Sequence, residues 1–187
     1  KRITDFMSAN GAVPGIQLGH AGRKGSSSLP WEGGKTGSEG RHLDLDEGGW
    51  EIFAPSAISF GGDRPRTPKE MTLAEIDSIK EAFKQGARRA YEAGFEFLML
   101  HASHGYIFQE FYSPITNHRQ DKYGGSFDNR VRLLLEVVRL VRQEWSDNLP
   151  LSVRLSAQDY IENGWTLEEA IALAHQLKLE GVDLIDN

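Results

Sequence analysis

Twice in this sequence an amphipathic helix opened by a capping box runs to a glycine and passes directly into a short apolar strand. Thr72 and Glu75 have capping-box spacing, and Ile76, Ile79, Phe83, Ala87 and Ala90 recur at helical intervals. Gly94 stands where the helix stops, so the pattern predicts a helix from about Leu73 to Ala93 and a strand over 95–100. The unit returns at Thr166 and Glu169, with Ile171, Ala174 and Leu177 on the helix, Gly181 at its end and a strand over 182–185. Between them, Val131, Leu134, Leu135, Val138 and Val141 mark a third amphipathic helix, followed by a strand over 151–155; a further strand is predicted over 14–18.

Strands separated by helices pair in parallel, because a parallel crossover needs a long connection, usually helical. Four such strands define an α/β fold. Periodicity is satisfied equally by an open doubly wound sheet and by part of a closed barrel.

Residues 22–68 interrupt the rhythm with a stretch rich in Gly, Ser and charge, read as a long excursion with a short β-hairpin, from which 53–58 returns to the body. A connection this long in a folded domain is usually functional or disordered; a loop at the mouth of a site is expected. The 187 residues can bury a sizeable core, so a single domain over 1–187 is expected.

The charge balance narrows the partners. With 27 acidic and 21 basic residues the net charge is −6, which disfavours nucleic acid and anionic membranes but not a small anion in a local basic pocket. No apolar run approaches the roughly 18 residues of a membrane span, and the N-terminal stretch has no apolar segment of signal-peptide type. Cysteine is absent, which removes disulfides and thiolate metal sites. A cytoplasmic protein is expected.

In parallel α/β proteins ligands lie at the C-terminal ends of the strands. There the sequence offers Gln17 and His20 from the first strand, and His101, Ser103, His104 and Tyr106 from the second. The third and fourth add Arg154 and Asp186. Each has a structural alternative: Gln17 bonded to a neighbouring backbone, Arg154 paired with Asp186, Tyr106 packed as an ordinary aromatic, His101 and His104 as zinc ligands without further support. As a set they cover one chemistry. Two neutral imidazole N–H donors can polarise a carbonyl or nitro oxygen, and a phenol can protonate carbon. An amide matches the pyrimidine edge of a flavin, and a guanidinium stabilises the charge that grows there on reduction.

Three segments carry a family resemblance: GIQLGHAGRKGS (15–26), HASHGYIFQEFYSPITNHRQDKYGGSFDNR (101–130) and VRLSAQDY (153–160). With Asn117, Arg119, Asp121, Tyr123, Gly124, Gly125, Ser126, Asn129 and Arg130 at their present spacing, the chain resembles the old yellow enzyme family, in particular its bacterial xenobiotic-reductase-like branch. The resemblance implies a (βα)₈ TIM barrel with FMN at its C-terminal mouth. Gln17 and Arg154 would contact the flavin, His101 and His104 would bind the substrate's electron-withdrawing oxygen, and Tyr106 would be the proton donor. NADPH or NADH would be the reductant, and enones, enals, nitroalkenes and nitro compounds the substrates. Gly124–Gly125 lacks phosphate-loop spacing and is read as a turn.

Set against the eight-stranded family barrel, the chain covers about strands 3 to 6. It is therefore expected to be a fragment with uncovered edges, prone to self-association and weak in FMN retention. Three alternatives are weighed: a related FMN barrel such as a dienoyl reductase, disfavoured by the lack of cysteine for an iron–sulfur cluster; a catalytically silent fragment; and a flavin-free barrel lyase with His101 as base, which leaves Gln17 and Arg154 unexplained.

Overall fold

The computed structural model describes residues 1–29, 31, 41–62 and 64–187. Helix α1 (Arg2–Ala9) leads into strand β1 (Gly15–Leu18). A minor pair, β2 (Phe53–Ala54) and β3 (Lys69–Glu70), precedes helix α2 (Leu73–Glu92). Strand β4 (Phe97–Ala102), helices α3 (Ile107–Tyr112) and α4 (Phe127–Glu144), β5 (Leu151–Leu155), α5 (Leu167–Leu179) and β6 (Leu184–Asp186) complete the order.

Local chemistry starts the helices where the sequence places them. Thr72 and Glu75 form a complete reciprocal capping box on α2, and Thr166 and Glu169 form another on α5. Two strands begin later than predicted. Phe95 and Val182 donate their amides back to Ala90 and Leu177, so the first residues after each helix close its last turn. Strand β4 therefore starts at Phe97 and runs through His101 to Ala102, and β6 starts at Leu184.

All four main strands are parallel and adjacent in chain order, β1-β4-β5-β6. Right-handed crossovers that never reverse direction put every helix on the same face, whereas a doubly wound sheet needs a reversal. The packing agrees. Leu98, Leu100, Leu151 and Val153 are fully buried in one core with Ile76, Phe83 and Ala87 of α2, Val131, Leu134 and Val138 of α4, and Leu173 and Leu177 of α5. The opposite face carries the other parity of side chains, in rows set by the register: Gln17, Met99, Ser152 and Leu184, and above them His101, Arg154 and Asp186. One helix-covered face and one polar inner face make this a partial (βα)₈ barrel.

The excursion is anchored to this body. Residues 26–28 pair antiparallel with 41–43, and β2 pairs parallel with β3. Residues 30, 32–40 and 63 of the excursion lie outside the described residues. The chief anchor is the buried Arg119, which donates to the Asp121 carboxylate at 2.5 Å and to the carbonyls of Pro55 at 3.0 Å and Met71 at 2.6 Å. Arg119→Ala leaves two carbonyls and a carboxylate without their partner, and a loss of about 3 kcal/mol is expected in urea denaturation. A change near zero would mean that the clamp contributes nothing net. Among the described residues no helix is long and apolar enough to cross a membrane.

Candidate active site

Strand β4 delivers its side chains to alternate faces, so His101 falls on the inner face while its neighbours Leu100 and Ala102 enter the core. After Ala102 the chain turns sharply. His104 and Gly105 both adopt positive φ, 59° and 67°, and Tyr106 is the N-cap residue of α3. The turn folds the later side chains back over the strand end. The His101 and His104 ring centroids lie 5.1 Å apart, and those of His101 and Tyr106 4.9 Å apart at 63°.

His101 is only 6% exposed, and its Nδ1 makes no hydrogen bond within the described residues. Burial lowers its pKa, and the charges of His104 and Arg154 act in the same direction. Above the depressed value the ring is neutral and keeps hydrogen-bonding capacity for a ligand.

Arg154 stands in register with His101 on the next strand and pairs with Asp186 on β6 at 3.2 Å, so the structural alternative for this arginine is realised. The guanidinium is still 40% exposed on the inner face. Gln17 lies on the same face one row lower. Its Nε2 donates to Met99 Sδ at 2.9 Å rather than to a backbone group, and the residue is exposed. The fold thus brings His104 and Tyr106 against His101 and sets Arg154 on the same surface in the row of His101, with Gln17 one row lower. His20 does not join them. It has the other parity, accepts from the Gly22 amide through Nδ1 at 3.0 Å, and lines a separate small cavity with Phe83 and Gly86 of α2.

Beside the rings opens a cleft of about 610 Å³, lined by Lys24, Phe60, Tyr106, Gln109, Ser156 and Asp159 among others. Four of these carry signals that strand-end reasoning passed over. Lys24 belongs to the GHAGRK segment and donates to the His104 carbonyl at 2.8 Å; Gln109 is one helical turn beyond Gly105. Ser156 and Asp159 follow the end of β5. Among the described residues no three His, Cys, Asp or Glu side chains gather into a metal-binding group.

A layer of parallel strands with helices outside and a polar cluster at the C-terminal strand ends defines the chain as part of a (βα)₈ enzyme-type barrel. Residues 1–187 match the model of the NADH:flavin oxidoreductase / NADH oxidase family. The chain is 44% identical over 186 residues to an NADPH dehydrogenase of Geobacillus sp. (strain WCH70), covering 100% of this chain and 48% of that protein. It is 41% identical over 198 residues to an NADH:flavin oxidoreductase of Gibberella zeae, covering 100% and 47%. Among solved structures, the old yellow enzyme homologue from Zymomonas mobilis superposes with a TM-score of 0.76 at 28% identity, over 98% of this chain and 49% of that one. 2-Naphthoyl-CoA reductase gives a TM-score of 0.81 at 30% identity, over 99% and 28%. The chain belongs to the NADH:flavin oxidoreductase / NADH oxidase family, the old yellow enzyme family. It spans about half the length of the curated relatives it matches.

Proposed function

We propose that this chain carries the substrate-activating part of an FMN-dependent NAD(P)H oxidoreductase that reduces activated alkenes (enones, enals, nitroalkenes) and nitro compounds. The observation that carries the reading is the contact of His101, His104 and Tyr106 on the inner face that also bears Arg154 and Gln17. These residues fit a flavin. Gln17 offers an amide donor and acceptor on an exposed strand position, Arg154 a half-open guanidinium, and Ser152 a buried hydroxyl with no partner among the described residues. Of these, Gln17 and Arg154 would hold the cofactor.

FMN, when bound, supplies the hydride. The chain's own groups do the rest. His101, neutral above its depressed pKa, and His104 donate N–H to the substrate's carbonyl or nitro oxygen, drawing electron density from the alkene. The Tyr106 phenol, edge-on to His101 and lining the cleft, delivers the proton to carbon. Residues 1–187 act as one partial-barrel unit, and the excursion of residues 22–68 contributes Phe60 and Lys24 to the cleft wall, where the Lys24 ammonium sits 4.4 Å from the Phe60 ring centroid.

Titration of the protein with FMN is expected to give a bound flavin spectrum. Anaerobic NADPH or NADH should bleach it, and cyclohexenone should restore it. Bleaching without recovery on any enone or nitroalkene would leave a flavin reductase with a different acceptor, and absence of flavin binding would remove the proposal altogether.

A further inference from the structure

The turn that presents His104 is conformationally expensive. A non-glycine residue at φ 59° costs on the order of 1 kcal/mol, and here Gly105 follows at φ 67°. Something must hold it. The Gln109 side chain, one turn into α3, sits at the centre of what does. Its Oε1 accepts from the Gly105 amide at 2.7 Å and from Ser156 Oγ at 2.8 Å, and its Nε2 donates to Asp159 Oδ1 at 2.9 Å. Ser156 Oγ in turn accepts from the His104 amide at 3.3 Å. The amide can sit only one way round, with its oxygen toward two donors and its nitrogen toward a carboxylate. Asp159 is itself fixed, since Oδ2 accepts from Ser113 Oγ at 2.6 Å and from the Trp165 amide at 2.8 Å.

We propose that Gln109 is a positioning residue that ties the His104–Gly105 turn to the segment after β5 and so sets where the His104 imidazole stands relative to His101. This rests on the reading of the histidine pair as the substrate-oxygen site. Gln109 would act through His104, with no chemical step of its own.

Two substitutions test it. Gln109→Met keeps the length and removes all three hydrogen bonds. Hydrogen exchange at the Gly105 amide, followed by NMR, should speed up about tenfold or more, and KM for cyclohexenone should rise about tenfold, as loss of a partly buried hydrogen bond implies. Gln109→Glu keeps the acceptor for Gly105 and Ser156 but meets Asp159 with a second carboxylate, unless the introduced carboxyl is protonated and donates as the amide does. The like charge raises its pKa, so activity relative to the parent should recover as pH falls. His104, Tyr106, Lys24 and Arg64 face the same cleft and are common to both proteins, so the ratio removes their contribution, and the recovery reports the introduced carboxyl and Asp159 as a coupled pair.

A merely structural role would give no such recovery. Unchanged Gly105 exchange in Gln109→Met, or a Gln109→Glu to parent ratio that is flat with pH, would overturn the proposal. If the parent reduces no enone while Gly105 protection still collapses in Gln109→Met, the turn-fixing role stands and the substrate reading fails.

Discussion

His101→Ala is expected to lower kcat/KM for an enone by about 10²-fold, the usual cost of removing one preorganised donor from a developing oxyanion. The expectation follows from burial. His101 is 6% exposed, neutral above its depressed pKa, and has a ring nitrogen without a partner among the described residues, so its hydrogen-bonding capacity is already desolvated before substrate arrives. His104 is exposed, and its hydrogen bonds among the described residues run through its backbone, so His104→Ala should cost less. His101→Asn, which retains one amide donor, should recover part of the loss. The melting temperature and FMN affinity should stay close to the parent's in all three, because the flavin contacts are assigned to Gln17 and Arg154. Equal kcat/KM in His101→Ala and the parent would remove this histidine from the substrate site.

The three long helices α2, α4 and α5 and the identity of the rings were legible because both are local. A capping box needs four consecutive residues, and His101, His104 and Tyr106 lie within six. Strand limits were less so, since the apolar runs beginning at Phe95 and Val182 look like strand from their first residue. Their amides are committed to the preceding helices, and nothing in side-chain pattern reports a backbone hydrogen bond. Helix α3 was missed for a related reason. It is six residues long, with no side-chain cap, and too short for periodicity to register. The choice between barrel and doubly wound sheet was equally out of reach of periodicity, because both demand the same alternation; only the strand order separates them.

Gln109 and Asp159 illustrate a different limit. Fifty positions separate them, and each looks like a surface polar residue in the sequence. They meet because adjacent parallel strands β4 and β5 bring the segments beyond their ends together. The same register put Arg154 beside His101. A polar residue within an apolar strand is thus a signal readable in the sequence, whereas one in the loop beyond acquires meaning only once its neighbouring strand is known.

Below the site, Glu110 is expected to make the protein progressively less stable as pH rises. Its side chain is 1% exposed; Oε1 accepts the Arg23 amide at 3.0 Å, and Oε2 has no partner among the described residues. Gly22, at φ 57°, leaves no room for a Cβ, which would stand 2.2 Å from that carboxyl. The Arg23 guanidinium attracts the carboxylate but turns its Nη1 to the carbonyls of Ile58 and Ser59. Burial therefore wins and raises the Glu110 pKa from 4.5 to about 8. With the folded value above the unfolded one, the folded state keeps a proton that the unfolded chain has released. Stability is fully present below about pH 4.5 and is lost as pH climbs toward 8, at about 1.4 kcal/mol per pH unit and on the order of 5 kcal/mol across the window. Glu110→Gln should flatten this component, so that the difference between parent and variant in urea denaturation grows steadily from pH 5 to 8 in the variant's favour. A parent-minus-variant difference independent of pH would mean that Glu110 ionises normally, with the Arg23 guanidinium outweighing burial.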